Sequence, residues 1–258
     1  MQLIETPDFS GAPQAYWDEY YEKMPLEYYP EFLFYKDLFE KYLPKGGTAF
    51  EVGCYPGGFM IYLSKQFGYK VSGIDATPFV KSRMPAFFSG EGVEADELVF
   101  GDFLNYEPGR TFDLVYSMGF IEHFTNYEEV LERHVRLVKP GGILIITCPN
   151  FLGIQRFLHR ALDAANLRRH YLPAMRYRKW RTVLKKNGME ILHDGYYRTA
   201  GFWAEPSKHE IVNVTTHYLR RFLTKLDKFV NLPNPFISPC IASVSRKTGG
   251  AGGVGQPL

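Results

Sequence analysis

The sequence predicts an α/β fold, a mostly parallel sheet covered by helices on both faces. Three observations carry this expectation. Short apolar, strand-like stretches alternate with helical ones from about residue 48 to 150, the pattern of a parallel sheet built from strand-helix-strand units. The first strand runs through a glycine turn into a helix, in "FEVGCYPGGF" (50–59). With 258 residues, 45% of them hydrophobic, the chain can bury both faces of such a sheet, as one large domain or one domain with an appendage.

The elements follow in order. Residues 1–46 read as an aromatic, helical segment, with Tyr16, Trp17, Tyr20 and Tyr21 partly at three- and four-residue spacing. Pro44, Gly46 and Gly47 end it. "TAFEVG" is strand one and "GGFMIYLSKQFG" a helix closed by Gly68. "YKVSGID" is strand two, and "TPFVKSRMPAFFSG" a helical stretch interrupted by Pro85. "ELVFGD" and "TFDLVYSMG" are strands three and four. "NYEEVLERHVRLV" is a helix stopped by Lys139, Pro140 and Gly141, and "GGILIITCP" is strand five. After Pro149 the pattern loosens. A helix near Tyr177–Asn187, a sixth strand "GMEILHDGYYR" and a final strand "FISPCIASVSRK" remain legible. "HYLRRFLTKLDKFV" is an amphipathic helix with a basic face, expected to cover a sheet, with a membrane surface as the alternative. Residues 249–258 read as a disordered tail. No internal repeat is visible.

Net charge is only +2, but residues 151–189 hold ten basic residues against one acid, Asp163. Such a field attracts anions, or is simply a solvated helical face. Cys54, Cys148 and Cys240 are far apart, and an odd count argues against a disulfide framework, so a reducing cytoplasm is expected. The opening "MQLIETPDFSGAP" lacks a secretory pattern. His159, His170, His193, His209 and His217 show no ligand-like spacing, so no metal site is expected.

The glycine turn carries the chemistry. A dinucleotide site would read G-x-G-x-x-G and set a pyrophosphate on the helix N-terminus. Here the glycines are Gly53, Gly57 and Gly58, and Glu51 precedes them. An acid there disfavours a pyrophosphate and suits a cationic ligand. Asp75 ends strand two, where a carboxylate accepts from ribose hydroxyls. Asp102 ends strand three, placed to accept from an adenine amino group, with Phe103 beside the ring.

Five ordered stretches, "FEVGCYPGG", "VSGID", "GDF", "FDLVYSMGFIEHF" and "LVKPGGILIIT", together resemble the class I S-adenosylmethionine-dependent methyltransferases over residues 48–150. The resemblance implies a Rossmann-like three-layer sandwich with a seven-stranded, mostly parallel sheet whose last strand is antiparallel. It implies S-adenosyl-L-methionine held by Glu51, Gly53, Cys54, Tyr55 and Gly57 of the turn, by Asp75 with Ala76, by Asp102 with Phe103, and by Ser117, Met118 and Gly119. The departure is Tyr55, which stands where the family places its middle glycine.

Residues 1–46 resemble a lid that small-molecule methyltransferases fold over the donor, bringing Trp17, Tyr20 or Tyr21 to the pocket. His123, in the loop after strand four, is the candidate general base and Glu122 its neighbour. Insertions within residues 151–235 are expected to build the acceptor site. The expected reaction is methyl transfer to a small molecule, at a hydroxyl oxygen of an anionic, saccharide or aromatic acceptor, by a monomer or homodimer. A macromolecular methyltransferase acting on RNA or protein, and a donor-binding module without turnover, are the alternatives. The missing Asn/Asp-Pro-Pro-aromatic signature argues against exocyclic amines.

Overall fold

The computed structural model describes residues 11–249, so the expected tail beyond Gly249 lies outside the described residues. Helix α1 (Gln14–Glu22) and helix α2 (Lys36–Tyr42) precede strand β1 (Thr48–Val52). Then come α3 (Gly58–Phe67), β2 (Lys70–Asp75), α4 (Phe79–Ser82), α5 (Met84–Gly90), β3 (Glu97–Phe100), β4 (Phe112–Met118), α6 (Tyr127–Leu137) and β5 (Val138–Pro149). The chain continues through α7 (Gly153–Leu162), α8 (Ala164–Arg168), α9 (Tyr177–Lys186), β6 (Met189–Tyr197), α10 (Glu210–Phe229) and β7 (Cys240–Lys247).

The seven strands form one sheet in the order β3-β2-β1-β4-β5-β7-β6. β7 runs antiparallel to β5 and β6, and β1 to β5 are parallel. Side-chain alternation divides the sheet between two cores. Phe50, Val52, Val115, Leu144 and Ile146 face α6 and α9, where Val130, Leu131, Trp180 and Leu184 are buried. Ala49, Leu114, Tyr116, Ile143 and Ile145 face α3 and α2, where Met60, Ile61, Leu63 and Phe39 are buried. The strand order reverses between β1 and β4, so ligands are expected beyond their carboxyl ends.

Three local expectations change. α6 ends at Leu137 and passes directly into β5, and residues 139–142 form an irregularity between the pairs Phe112–Val138 and Leu114–Ile143 rather than a stop before the strand. Lys247 Nζ donates to the carbonyls of Val135 and Val138, which satisfies that helix end. α7 and α8 fill the stretch where the periodicity loosened. α10 starts at Glu210, earlier than expected, and it does not cover the sheet. Its single buried residue, Leu223, packs with Ala200 and Phe202, flanked by Leu158 and Leu162 of α7.

Candidate functional site

The glycine turn between β1 and α3 is built as the sequence suggests. Gly53 and Gly57 have φ of +73° and +92°, a region costly for residues with a Cβ. A Cβ on Gly53 would come within 2.9 Å of the Phe120 ring. Gly68, also left-handed, closes α3, and its N–H reaches the Ser64 carbonyl. Tyr55 does not block the turn. Its ring is buried in the wall, 4.7 Å from the ring of Tyr21 on α1 and 6.0 Å from Phe79. Its N–H donates to Asp75 Oδ2 at 3.1 Å, while Thr77 N–H donates to Oδ1.

Two cavities lie beyond the strand ends. The smaller, about 390 Å³, runs along Gly53, Tyr55, Asp75, Ala76, Asp102, Phe103, Met118 and Gly119, under Trp17 and Tyr21 of α1. Nine of the thirteen residues expected to bind the donor therefore share one cavity. The other four do not line it. Glu51 lies on the face of β1 shared with Ala49 and is buried, its carboxylate accepting from Tyr116 Oη at 3.0 Å. Cys54 is buried against Gly73, whose Cβ, if present, would meet it at 2.6 Å. Gly57 lies against Phe88 and Met84, and Ser117 is wholly buried. Asp102 accepts from Leu104 N–H and Asn105 Nδ2 at the start of a short helical turn.

Burial raises Asp75 to about 6, against three backbone N–H groups that favour its charge. Above that pH the carboxylate is ionised and accepts. Below it the group is protonated and loses acceptor capacity. With the donor's ribose on Asp75, as the resemblance implies, donor affinity is expected to fall by up to about tenfold per pH unit below 6 and to be flat above 7. Calorimetric titration with S-adenosylhomocysteine from pH 5 to 8 checks this.

The larger cavity, about 640 Å³, is walled by Tyr16, Trp17, Tyr20, Phe34, Tyr35 and Trp203 and reaches Glu122, His170, Glu205, Arg220 and Asp227. None of the ten basic residues between 151 and 189 lines either of these cavities. Arg169 pairs with Glu205 and lies 4.2 Å over the Tyr16 ring, both residues of the larger cavity's wall. α1 is tied down at its end by Arg83, which donates to the carbonyls of Tyr21 and Met24.

Trp17, Met118, Gly119 and His123 line both cavities. His123 Nδ1 lies 3.1 Å from the Arg169 carbonyl, which places a proton on Nδ1 and leaves Nε2 as the acceptor. Burial lowers His123 to about 4 and raises Glu122 to about 8, so at neutral pH the imidazole is unprotonated and the carboxyl holds its proton. Glu122 Oε2 is buried without a hydrogen-bond partner. His170 joins them, its ring 4.7 Å from His123 and its Nδ1 2.7 Å from the Asn166 carbonyl. Ligand atoms of Glu122, His123 and His170 lie within 4.8 Å of one another, so these three can hold a metal ion. In the sequence His170 shows no ligand-like spacing, so only the fold brings it to Glu122 and His123.

A family model described as a methyltransferase domain matches residues 21–194. The chain belongs to the methyltransferase-domain family. The resemblance to class I S-adenosylmethionine-dependent methyltransferases read from the sequence stands, with the fold it implies. Curated relatives of this methyltransferase-family chain include a ubiquinone biosynthesis O-methyltransferase of Pseudomonas paraeruginosa, 30% identical over 57% of this chain and 62% of its own length. Another is norajmaline N-methyltransferase of Rauvolfia serpentina, 29% identical over 45% of this chain and 40% of its own. The chain thus spans less than two thirds of either. Among solved structures, Haemonchus contortus phosphoethanolamine N-methyltransferase 2 in complex with S-adenosyl-L-methionine is similar, with a TM-score of 0.56 at 17% identity, covering 82% of this chain and 51% of that one. The cyclase SpnF matches with a TM-score of 0.55 at 16% identity, covering 83% of this chain and 80% of that one. At such identities the likeness is one of fold. Among the described residues no helix is long and apolar enough to cross a membrane.

Proposed function

We propose that this chain transfers a methyl group from S-adenosylmethionine to the hydroxyl oxygen of a small, largely apolar aromatic acceptor. The observation that carries the reading is the meeting of two cavities at Trp17, Met118, Gly119 and His123. The donor lies in the smaller cavity, with its ribose on Asp75 and its adenine by Asp102 and Phe103. The acceptor lies in the larger one, between α1 and the segments that follow β5 and β6. α1 closes over both as a lid. Methyl transfer from a sulfonium is an in-line displacement, so alignment supplies most of the rate. His123 lines the junction, and its Nε2, the ring nitrogen left free by the Arg169 carbonyl, takes the hydroxyl proton as the oxygen attacks. The aromatic wall favours a planar acceptor over an anionic one. The absence of the basic stretch from the lining weighs against RNA or protein. The relatives include O-methyltransferases as well as an N-methyltransferase, so nitrogen is the alternative nucleophile.

The test is S-adenosylhomocysteine formation with a panel of phenols, aromatic amines and sugar phosphates. Turnover with phenols is expected. His123→Ala is expected to lower kcat by about 100-fold or more with donor Kd changed less than about twofold. Turnover confined to sugar phosphates, or an unchanged kcat in the variant, contradicts the reading.

The trio Glu122, His123 and His170 supports a second reading, in which a divalent cation replaces the Glu122 proton and activates the hydroxyl itself. Chelator-sensitive turnover, restored by one metal, would select it. Chelator-insensitive turnover leaves His123 as the base.

A further inference from the structure

We infer that the face formed by α10 and the adjoining end of α7 docks on an anionic lipid bilayer. α10 exposes Ile211, Val214, Tyr218, Phe222 and Phe229, the last 87% exposed. Their spacing of three, four, four and seven residues sets all five on one side of the helix. The stripe is separate from the inward side, where Leu219, Leu223 and Leu226 pack on the small cluster with Ala200 and Phe202. The chain beyond the helix continues the exposure at Leu232 and Phe236. Phe236 adjoins the start of α7, where Ile154 N–H donates to its carbonyl, and Phe157 of α7 is 71% exposed. Scattered exposed apolar residues are ordinary, but an aromatic stripe of this length on one helix is not.

Charge selects the occupant. Arg221, Lys225 and Lys228 form a row along one flank of the stripe, all exposed. The two acids of α10 do not offset them: Glu210 sits at its first turn, and Asp227 turns inward to accept from the Thr199 and Ala200 N–H groups. Aromatic and aliphatic side chains bordered by Lys and Arg suit the boundary of an anionic bilayer, where the rings enter the headgroup layer and the cations meet phosphates. A second copy packed symmetrically on the same face would bring like charges together, which disfavours a dimer. Arg220, Thr224 and Asp227 of α10, which line the larger cavity, lie on the side of the helix opposite the stripe.

The experiment is vesicle co-sedimentation of the full chain, with phosphatidylcholine vesicles carrying about a third phosphatidylglycerol, or none. Binding to the anionic vesicles is expected. It is expected to weaken by tenfold or more in Phe222→Ser/Phe229→Ser and in Arg221→Glu/Lys225→Glu/Lys228→Glu, and at high salt. These side chains are exposed, so the variants should keep the wild-type melting curve and donor affinity. Absence of vesicle binding overturns the inference, as does binding that ignores the substitutions. A concentration-dependent dimer lost in the same variants reassigns the face to a second copy. Failure of donor binding in the wild type would sink the proposed reaction while leaving the vesicle result readable.

Discussion

Asp75→Ala is expected to weaken S-adenosylmethionine binding at least about 100-fold while leaving the fold intact. The carboxylate ends β2 at the switch between β1 and β4, the smaller cavity runs beside it, and its two oxygens keep lone pairs after accepting from Tyr55 and Thr77. Hydrogen bonds to a charged acceptor are each worth roughly 1.5–3 kcal/mol, so losing two ribose contacts accounts for the effect. The substitution also orphans the Tyr55 and Thr77 N–H groups, which shape the turn. Calorimetry on wild type and variant measures the ratio, with Asp75→Asn as the milder replacement that keeps one acceptor. A variant binding within threefold of wild type would remove the ribose from this position.

The second large effect is on stability. Gly57→Ala is expected to cost about 3 kcal/mol, lowering the melting temperature by roughly 6–12 °C. Left-handed φ accounts for about 1–2 kcal/mol. The rest is overpacking, because the new Cβ would fall 2.5 Å from Phe88, which is 1% exposed and cannot withdraw. Gly68→Ala is the control. It shares the left-handed φ but has nothing within 4 Å of its Cβ, so it should cost only about 1 kcal/mol. Thermal melts of the two variants separate crowding from backbone strain. Equal losses would mean that Phe88 and Met84 move aside.

The sheet was legible because each strand is punctuated. Gly53, Asp75, Asp102 and Gly119 stand at or just beyond strand ends, and a glycine turn or an acid there leaves a local mark in the sequence. The smaller cavity sits on those same ends, which is why nine expected residues share it. Glu51 stays off the cavity lining for a reason also local to the strand. Period-two alternation sends it to the face shared with Ala49, where Tyr116 takes its carboxylate. α7 and α8 escaped because basic residues break up the apolar periodicity between Arg156 and Arg169. The larger cavity was the least legible. Its wall gathers Tyr16, Phe34, His170, Trp203 and Arg220 from segments far apart in the chain, and only the fold joins them. For α10 the amphipathic pattern was plain, but which partner the apolar side meets depends on where the helix sits.

The measurement that bears most directly on this account is a crystal structure of the chain with S-adenosylhomocysteine. Ribose hydroxyls are expected on Asp75, adenine by Asp102 and Phe103, and the sulfur at Met118–Gly119 facing His123 and the larger cavity. A nucleoside seated among Phe34, Trp203 and Arg220 instead, or a sulfur turned away from His123, would contradict it.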